Sequence, residues 1–211
     1  VLFKLRGFTL IEVLVVIGII GILSAGVLAN LGQGSAQARD AERKADLRVL
    51  QSALELYNLK NGRYPEGCRG PGVWSGQVGT NYACPSGSQY IVGLAPEFIP
   101  VLPSDAKLNG LNSGYVYTTN VEGSVYKIMA RLTVEAETVT GFDNEFKSCD
   151  INVTGTAICD ATYPSSGNRP VHCQTNNTIF QTTYALWGGF SMNANAMLAE
   201  RFTDAVMCDI Q

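Results

Sequence analysis

Apolar and polar positions fall into three regimes along this chain. From Phe8 to Leu31 the run FTLIEVLVVIGIIGILSAGVLANL carries a single charge, Glu12. At about 1.5 Å per residue, a helix of that run reaches about 36 Å, enough to cross the hydrocarbon core of a bilayer. From Ser35 to Lys60 the residues become strong helix formers, with no proline or glycine. Ala38, Ala41, Ala45, Val49, Ala53 and Leu56 recur at steps of three and four, and Leu47, Leu50, Leu54 and Tyr57 do so on a neighbouring face. The two regimes predict one long helix, apolar all round in its first half and amphipathic in its second. Its wide apolar surface can carry a globular head on one side and touch other subunits on another. Arg39, Asp40, Glu42, Arg43, Lys44, Asp46 and Arg48 fill the remainder, as expected of a solvated face. Asn61-Gly62 supplies the stop, and Arg63-Tyr64-Pro65 an extended exit.

The third regime has short apolar runs among turn formers. Residues 66–92, rich in Gly, Pro, Ser and Cys, predict an irregular loop, and Leu94–Leu102 a short turn-like helix ended by prolines. Gly114–Thr119 and Ser124–Leu132 flank the polar turn Asn120–Gly123 and predict an antiparallel hairpin. A lone hairpin is not stable, so it should pack on the stripe of residues 47, 50, 54 and 57, with Tyr115, Tyr117 and Tyr126 as packing residues. Tyr184–Phe190 is a strand candidate and Asn193–Val206 a helix candidate.

Composition narrows the function classes. With 211 residues and 46% hydrophobic content, the chain suits one membrane element and one modest domain. Lys and Arg number 15 against 18 Asp and Glu, and no basic cluster follows residue 60, which argues against a nucleic-acid groove. The single histidine, His172, excludes a histidine-rich metal site and suits a surface or loop. G-x-S-x-G, H-E-x-x-H and Walker A patterns are absent, so no enzyme is expected.

Cys68, Cys84, Cys149, Cys159, Cys173 and Cys208 all follow the apolar run, and none forms a C-x-x-C pair. An even set on one side of a membrane segment indicates an oxidising compartment and up to three disulfides. Sequential closure, Cys68 with Cys84, Cys149 with Cys159 and Cys173 with Cys208, is expected because short loops close at lower entropic cost. The loops of residues 141–183, rich in Asn, Thr, Ser and Gly, need such ties because they cannot build a large core. Asn152-Val-Thr154 and Asn176-Asn-Thr178 match a glycosylation pattern, a weak signal. Lys4 and Arg6 precede the apolar run, which places the N-terminus in the cytoplasm and the rest outside. A cleaved secretory signal ending near Ser24-Ala25-Gly26 and an uncleaved anchor for another domain are the plainer alternatives.

Neither alternative explains Glu12, since a carboxylate in hydrocarbon costs about 3 kcal/mol even on lenient scales. Cleavage between Gly7 and Phe8 would create an amine four residues before Glu12, on the same helical face. The same amine on a neighbouring subunit could neutralise Glu12 and set how far one helix slides along the next.

VLFKLRG followed by FTLIEVLVVIGIIGIL resembles the class III signal sequence and N-terminal helix of type IV pilins and type II secretion pseudopilins. The resemblance implies cleavage after Gly7 by a prepilin peptidase, methylation of Phe8, and a role for Glu12 in meeting the amine of an adjoining subunit. Many relatives carry a proline where this chain has Ala29, so any loosening of the helix falls to Gly26, Gly32 and Gly34. ARDAERKADLRVLQSALELYNLKNGRYP resembles the major pseudopilins, and GYVYTT with SVYKIMARLTVE the family's small sheet. Major pseudopilins often bind calcium, yet Asp143, Glu145, Asp150 and Asp160 form no EF-hand spacing and map to no family ligand, so no cofactor is assigned and calcium stays open.

The resulting expectation is an α+β, pilin-like fold: a long N-terminal helix, transmembrane in its first half, packed on a small antiparallel sheet with disulfide-held loops. Residues 1–7 are a leader remnant, 8–31 the membrane half, 32–62 the exported half and 63–211 the head. The implied function is a structural subunit of a type IV pilus-like filament, with a major pseudopilin and a membrane-anchored binding module as alternatives. The implied partners are further copies of the chain, the prepilin peptidase, a platform protein, an assembly ATPase and the bilayer before assembly. The location is the inner membrane with the N-terminus cytoplasmic, then an extracellular pilus or periplasmic pseudopilus.

Overall fold

A computed structural model of the chain describes residues 8–85, 88–140, 146 and 178–189, with the backbone alone for 25–31. One helix, α1 (Leu10–Asn61), runs unbroken through Gly32 and Gly34. It stops at Gly62, whose φ of 73° is a left-handed conformation that favours glycine, and whose amide donates to the Asn58 carbonyl at 2.8 Å. Among the described residues no helix is long and apolar enough to cross a membrane. The span expected over residues 8–31 continues into 25–31, whose side chains lie outside the described ones.

The head is a four-stranded antiparallel sheet in the order β1 (Ser75–Gly76), β2 (Gly114–Thr119), β3 (Val125–Arg131) and β4 (Tyr184–Gly189), with a one-turn helix α2 (Thr178–Gln181) before β4. β2 and β3 are the predicted hairpin, with Tyr117 opposite Ile128 and Gly114 opposite Arg131. β4 occupies the predicted strand and pairs Ala130 with Tyr184. The irregular loop expected over 66–92 contains β1, and 94–102 forms turns with no helix, in keeping with Pro96 and Pro100.

Strand alternation sends Tyr115, Tyr117, Tyr126, Ile128, Ala130, Tyr184 and Leu186 to one core, where they meet Leu47, Leu50 and Leu54 of α1. Tyr57 packs at its edge with the ring of Phe98, centroids 5.2 Å apart. The three tyrosines are packing residues whose hydroxyls are also used: Tyr115 donates to Asp46, Tyr117 to the Pro65 carbonyl and Tyr126 to Glu55. The opposite face holds a second cluster of Val116, Met129 and Ala185, with Trp74, Tyr82 and Trp187 beside it. A disulfide joins Cys68 to Cys84 and closes the loop that contains β1. Cys149, Cys159, Cys173 and Cys208 lie outside the described residues, as do the 193–206 helix candidate, Asn152, Asn176 and His172.

Candidate assembly site

α1 begins two residues after the expected cleavage point, and its N-cap and first turn form a closed capping box. Thr9 is extended and serves as N-cap. Its hydroxyl accepts from the Glu12 amide at 3.3 Å, while Glu12 Oε2 accepts from the Thr9 amide at 2.9 Å and the Thr9 hydroxyl at 2.7 Å. A Thr three residues before a Glu satisfies two otherwise orphaned amides reciprocally and places a negative charge at the positive end of the helix. The Thr9-x-x-Glu12 spacing is itself a capping-box signal in the sequence, separate from the i,i+4 relation between Phe8 and Glu12. Among the described residues both contacts go to Oε2, so Oε1 is open to a further donor.

Around this carboxylate the helix is bare. Phe8 is 84% exposed, and Leu10, Ile11, Val13 to Ile17, Ile19, Ile20, Ile22 and Leu23 are all exposed. So continuous an apolar surface needs a lipid or protein partner. The bare surface narrows to a stripe on the second half of α1, where Ala38, Ala41, Ala45, Val49, Leu56 and Leu59 face outward while Leu47, Leu50, Ala53 and Leu54 are buried. Of the two apolar faces predicted, one carries the head and the other, apart from Ala53, is open.

The charges between these faces depart from expectation. Arg43 is only 2% exposed and Asp40 is also buried, so neither belongs to a solvated face. The Arg43 guanidinium donates to Asp105 at 2.7 and 3.1 Å, to Asp40 at 2.7 Å and to Glu135 at 3.0 Å. Arg39 grips Glu135 with two parallel bonds, 2.8 and 2.7 Å, and Lys107 donates to the same carboxylate. Asp40 accepts from the amides of Glu135 and Ala136. Burial disfavours the Arg43 charge, but its hydrogen bonds to Asp105, Asp40 and Glu135 outweigh that and raise its pKa. The Arg39 contacts, joined by Lys107 and Arg43, hold the Glu135 carboxyl well below its ordinary range. Farther up the helix, burial lifts the Asp46 pKa, which the Tyr115 hydroxyl at 2.7 Å partly opposes.

Gly7 lies outside the described residues, as do Asp143, Glu145, Asp150 and Asp160. Among the described residues no group of His, Cys, Asp or Glu is placed to hold a metal ion.

Comparison with known proteins gives the N-terminus a context. Residues 3–28 match the model of the prokaryotic N-terminal methylation motif. The chain is similar to the type II secretion system core protein G of Pectobacterium carotovorum subsp. carotovorum, 43% identical over 63 residues, covering 30% of this chain and 40% of that protein. It is similar to the core protein G of Escherichia coli strain K12, 44% identical over 62 residues, 29% of this chain and 43% of that protein. The Vibrio cholerae core protein G is 42% identical over 62 residues, 29% of this chain and 42% of that protein. The chain thus spans about two fifths of the length of these relatives. No solved structure matches.

Proposed function

We propose, for a chain whose N-terminal region belongs to the family of type IV pilins and type II secretion pseudopilins, that it is a structural subunit of a pilus-like filament and not an enzyme. The observation that carries this reading is the bare apolar half of α1 headed by the Thr9–Glu12 capping box. Lipid would cover that half, residues 8–31, before assembly. Neighbouring α1 helices would cover it afterwards, with the open stripe from Ala38 to Leu59 extending the contact along the exported half.

Glu12 has a different part in each state. In the single subunit its Oε2 is occupied by Thr9 of its own helix. The amine of a processed Phe8 on an adjoining subunit would add a charge-assisted bond at the same carboxylate, so that helices lock only at the register where amine meets carboxylate. Cleavage after Gly7 creates that amine, which couples maturation to polymerisation. Prepilin peptidase, platform protein and assembly ATPase are the machinery this route requires, and the inner membrane with the N-terminus cytoplasmic is its starting point.

Two machines build such filaments. The relatives named core protein G speak for the major pseudopilin of a type II secretion system. The likeness covers only 30% of this chain, and the disulfide-closed loop of the head suits an exposed pilus surface equally. A knockout separates them: loss of protein secretion indicates the pseudopilin, and loss of surface fibres with secretion intact indicates the pilin. The common premise is tested by mass spectrometry of the protein from cells that contain the prepilin peptidase. The expected product starts at N-methylated Phe8, and an intact leader in such cells contradicts the proposal.

A further inference from the structure

The buried charge cluster sits where α1 leaves the head. Residues 32–38 of the helix are exposed or half-buried, and Asp40 is the first fully buried position. Three segments converge there: α1 with Arg39, Asp40 and Arg43, the loop with Asp105 and Lys107, and the loop after β3 with Glu135 and Ala136. Three cations face three carboxylates, so the cluster is balanced in charge. Gln77 ties it onward to the sheet, exchanging hydrogen bonds with the Asp105 backbone at 2.9 and 3.0 Å and accepting from the Tyr115 amide at 2.9 Å.

The backbone is bent to make this meeting possible. Leu132 has a φ of 56°, unfavourable for a residue with a side chain, and turns the chain at the end of β3 back toward α1. The Thr133 and Val134 amides then hold the Thr182 carbonyl at 2.9 and 3.1 Å, fixing the turn.

Mechanics shows what the cluster adds. The other ties between α1 and the sheet run from Lys44, whose ammonium lies over the Tyr184 ring, through Asp46, Leu47, Leu50 and Leu54, to Glu55, a base of about 17 Å at helical rise. Lys44 to Leu10 is an arm of about 51 Å, so a slip of about 1 Å across that base moves the free end by about 3 Å. Adding Asp40 lengthens the base to about 22 Å and shortens the arm to about 45 Å, which cuts the swing by about a third. Apolar contacts are non-directional, whereas bidentate guanidinium–carboxylate pairs accept one orientation. Buried ion networks add little net stability over apolar replacements of similar volume, although breaking one member alone is costly.

We propose that the Arg39–Asp40–Arg43–Asp105–Lys107–Glu135 cluster is an orienting clamp, which fixes the direction in which the free half of α1 leaves the head. In the filament reading, on which only this last step rests, Glu12 sets how far a subunit slides and the clamp sets how its head is presented to the next copy.

The test replaces Arg43 together with two of the carboxylates it holds, Arg43→Met with Asp105→Leu and Glu135→Met, leaving buried Asp40 the backbone amides of residues 135 and 136 and freeing Arg39 and Lys107 to solvent. Nitroxides attached through p-acetylphenylalanine at exposed Gln37 and Val78 report the helix–head distance in the full chain in detergent. The clamp predicts one narrow distance distribution in the parent, a distribution about 1.5-fold wider in the triple variant, and cooperative melting of the head in both. An unchanged width overturns the proposal. So does loss of cooperative melting, because the cluster would then be a stabiliser and not an orienting device. In cells the triple variant should lower filament yield by at least tenfold. The distance measurement needs no filaments, so their absence from parent cells would count against the filament reading alone.

Discussion

Glu135 carries the sharpest electrostatic consequence of any single residue. Its folded-state pKa lies below the ordinary carboxylate value of 4.5 because Arg39, Lys107 and Arg43 all donate to it. A depressed carboxyl pKa contributes stability that is complete above about pH 4.5 and is lost as pH falls from there. Melting temperature should therefore decline below pH 4.5, and Glu135→Gln, lower at neutral pH, should decline less steeply across the same range. Parallel curves for the two proteins would contradict this account of Glu135. None of it was legible in the sequence. Arg43 and Asp40 look like members of a mixed solvated face, and their partners lie 62 and 92 to 96 residues away. Periodicity marks an apolar face reliably; it does not mark which charges among its neighbours will be buried.

At the scale of elements, α1 does two jobs with two faces, and side-chain truncation separates them. Leu50 is 1% exposed in the core, whereas Leu56 is 53% exposed on the open stripe. Leu50→Ala should cost about 2–5 kcal/mol in chemical denaturation, as for other buried leucines. Leu56→Ala should leave denaturation within about 0.5 kcal/mol of the parent while weakening helix contacts between copies. Equal losses would mean that both faces are buried within one subunit. These elements were open to reading because local signals agreed with tertiary demand: helix formers ended by Asn61-Gly62, and two β-rich runs around a polar four-residue turn. The stripe of residues 47, 50, 54 and 57 meets the sheet as the need of a hairpin for an apolar partner requires. The short β1 leaves no mark in the sequence, since two residues in a loop rich in Gly and Pro carry no periodicity and pair only because β2 offers an edge.

For the whole molecule, the division of labour runs along the length of α1. The head closes its own core against residues 47–54, the charge cluster holds the exit of the helix, and the apolar residues from Phe8 to Leu23 remain without a partner among the described residues. An apolar surface of that extent needs lipid or protein cover, which is the main physical support for the filament subunit proposed above. The two ends differ in legibility for one reason: the apolar run and its buried-type charge are local and extreme in composition, while the exit geometry depends on three distant segments meeting.

The most direct test of the central claim is electron microscopy of cells expressing Glu12→Ala at parental levels, with membrane fractionation in parallel. The account predicts normal recovery in the inner-membrane fraction together with loss of filaments, because lipid asks nothing of the carboxylate and the neighbouring amine requires it. Filaments of normal abundance and length from Glu12→Ala would contradict it.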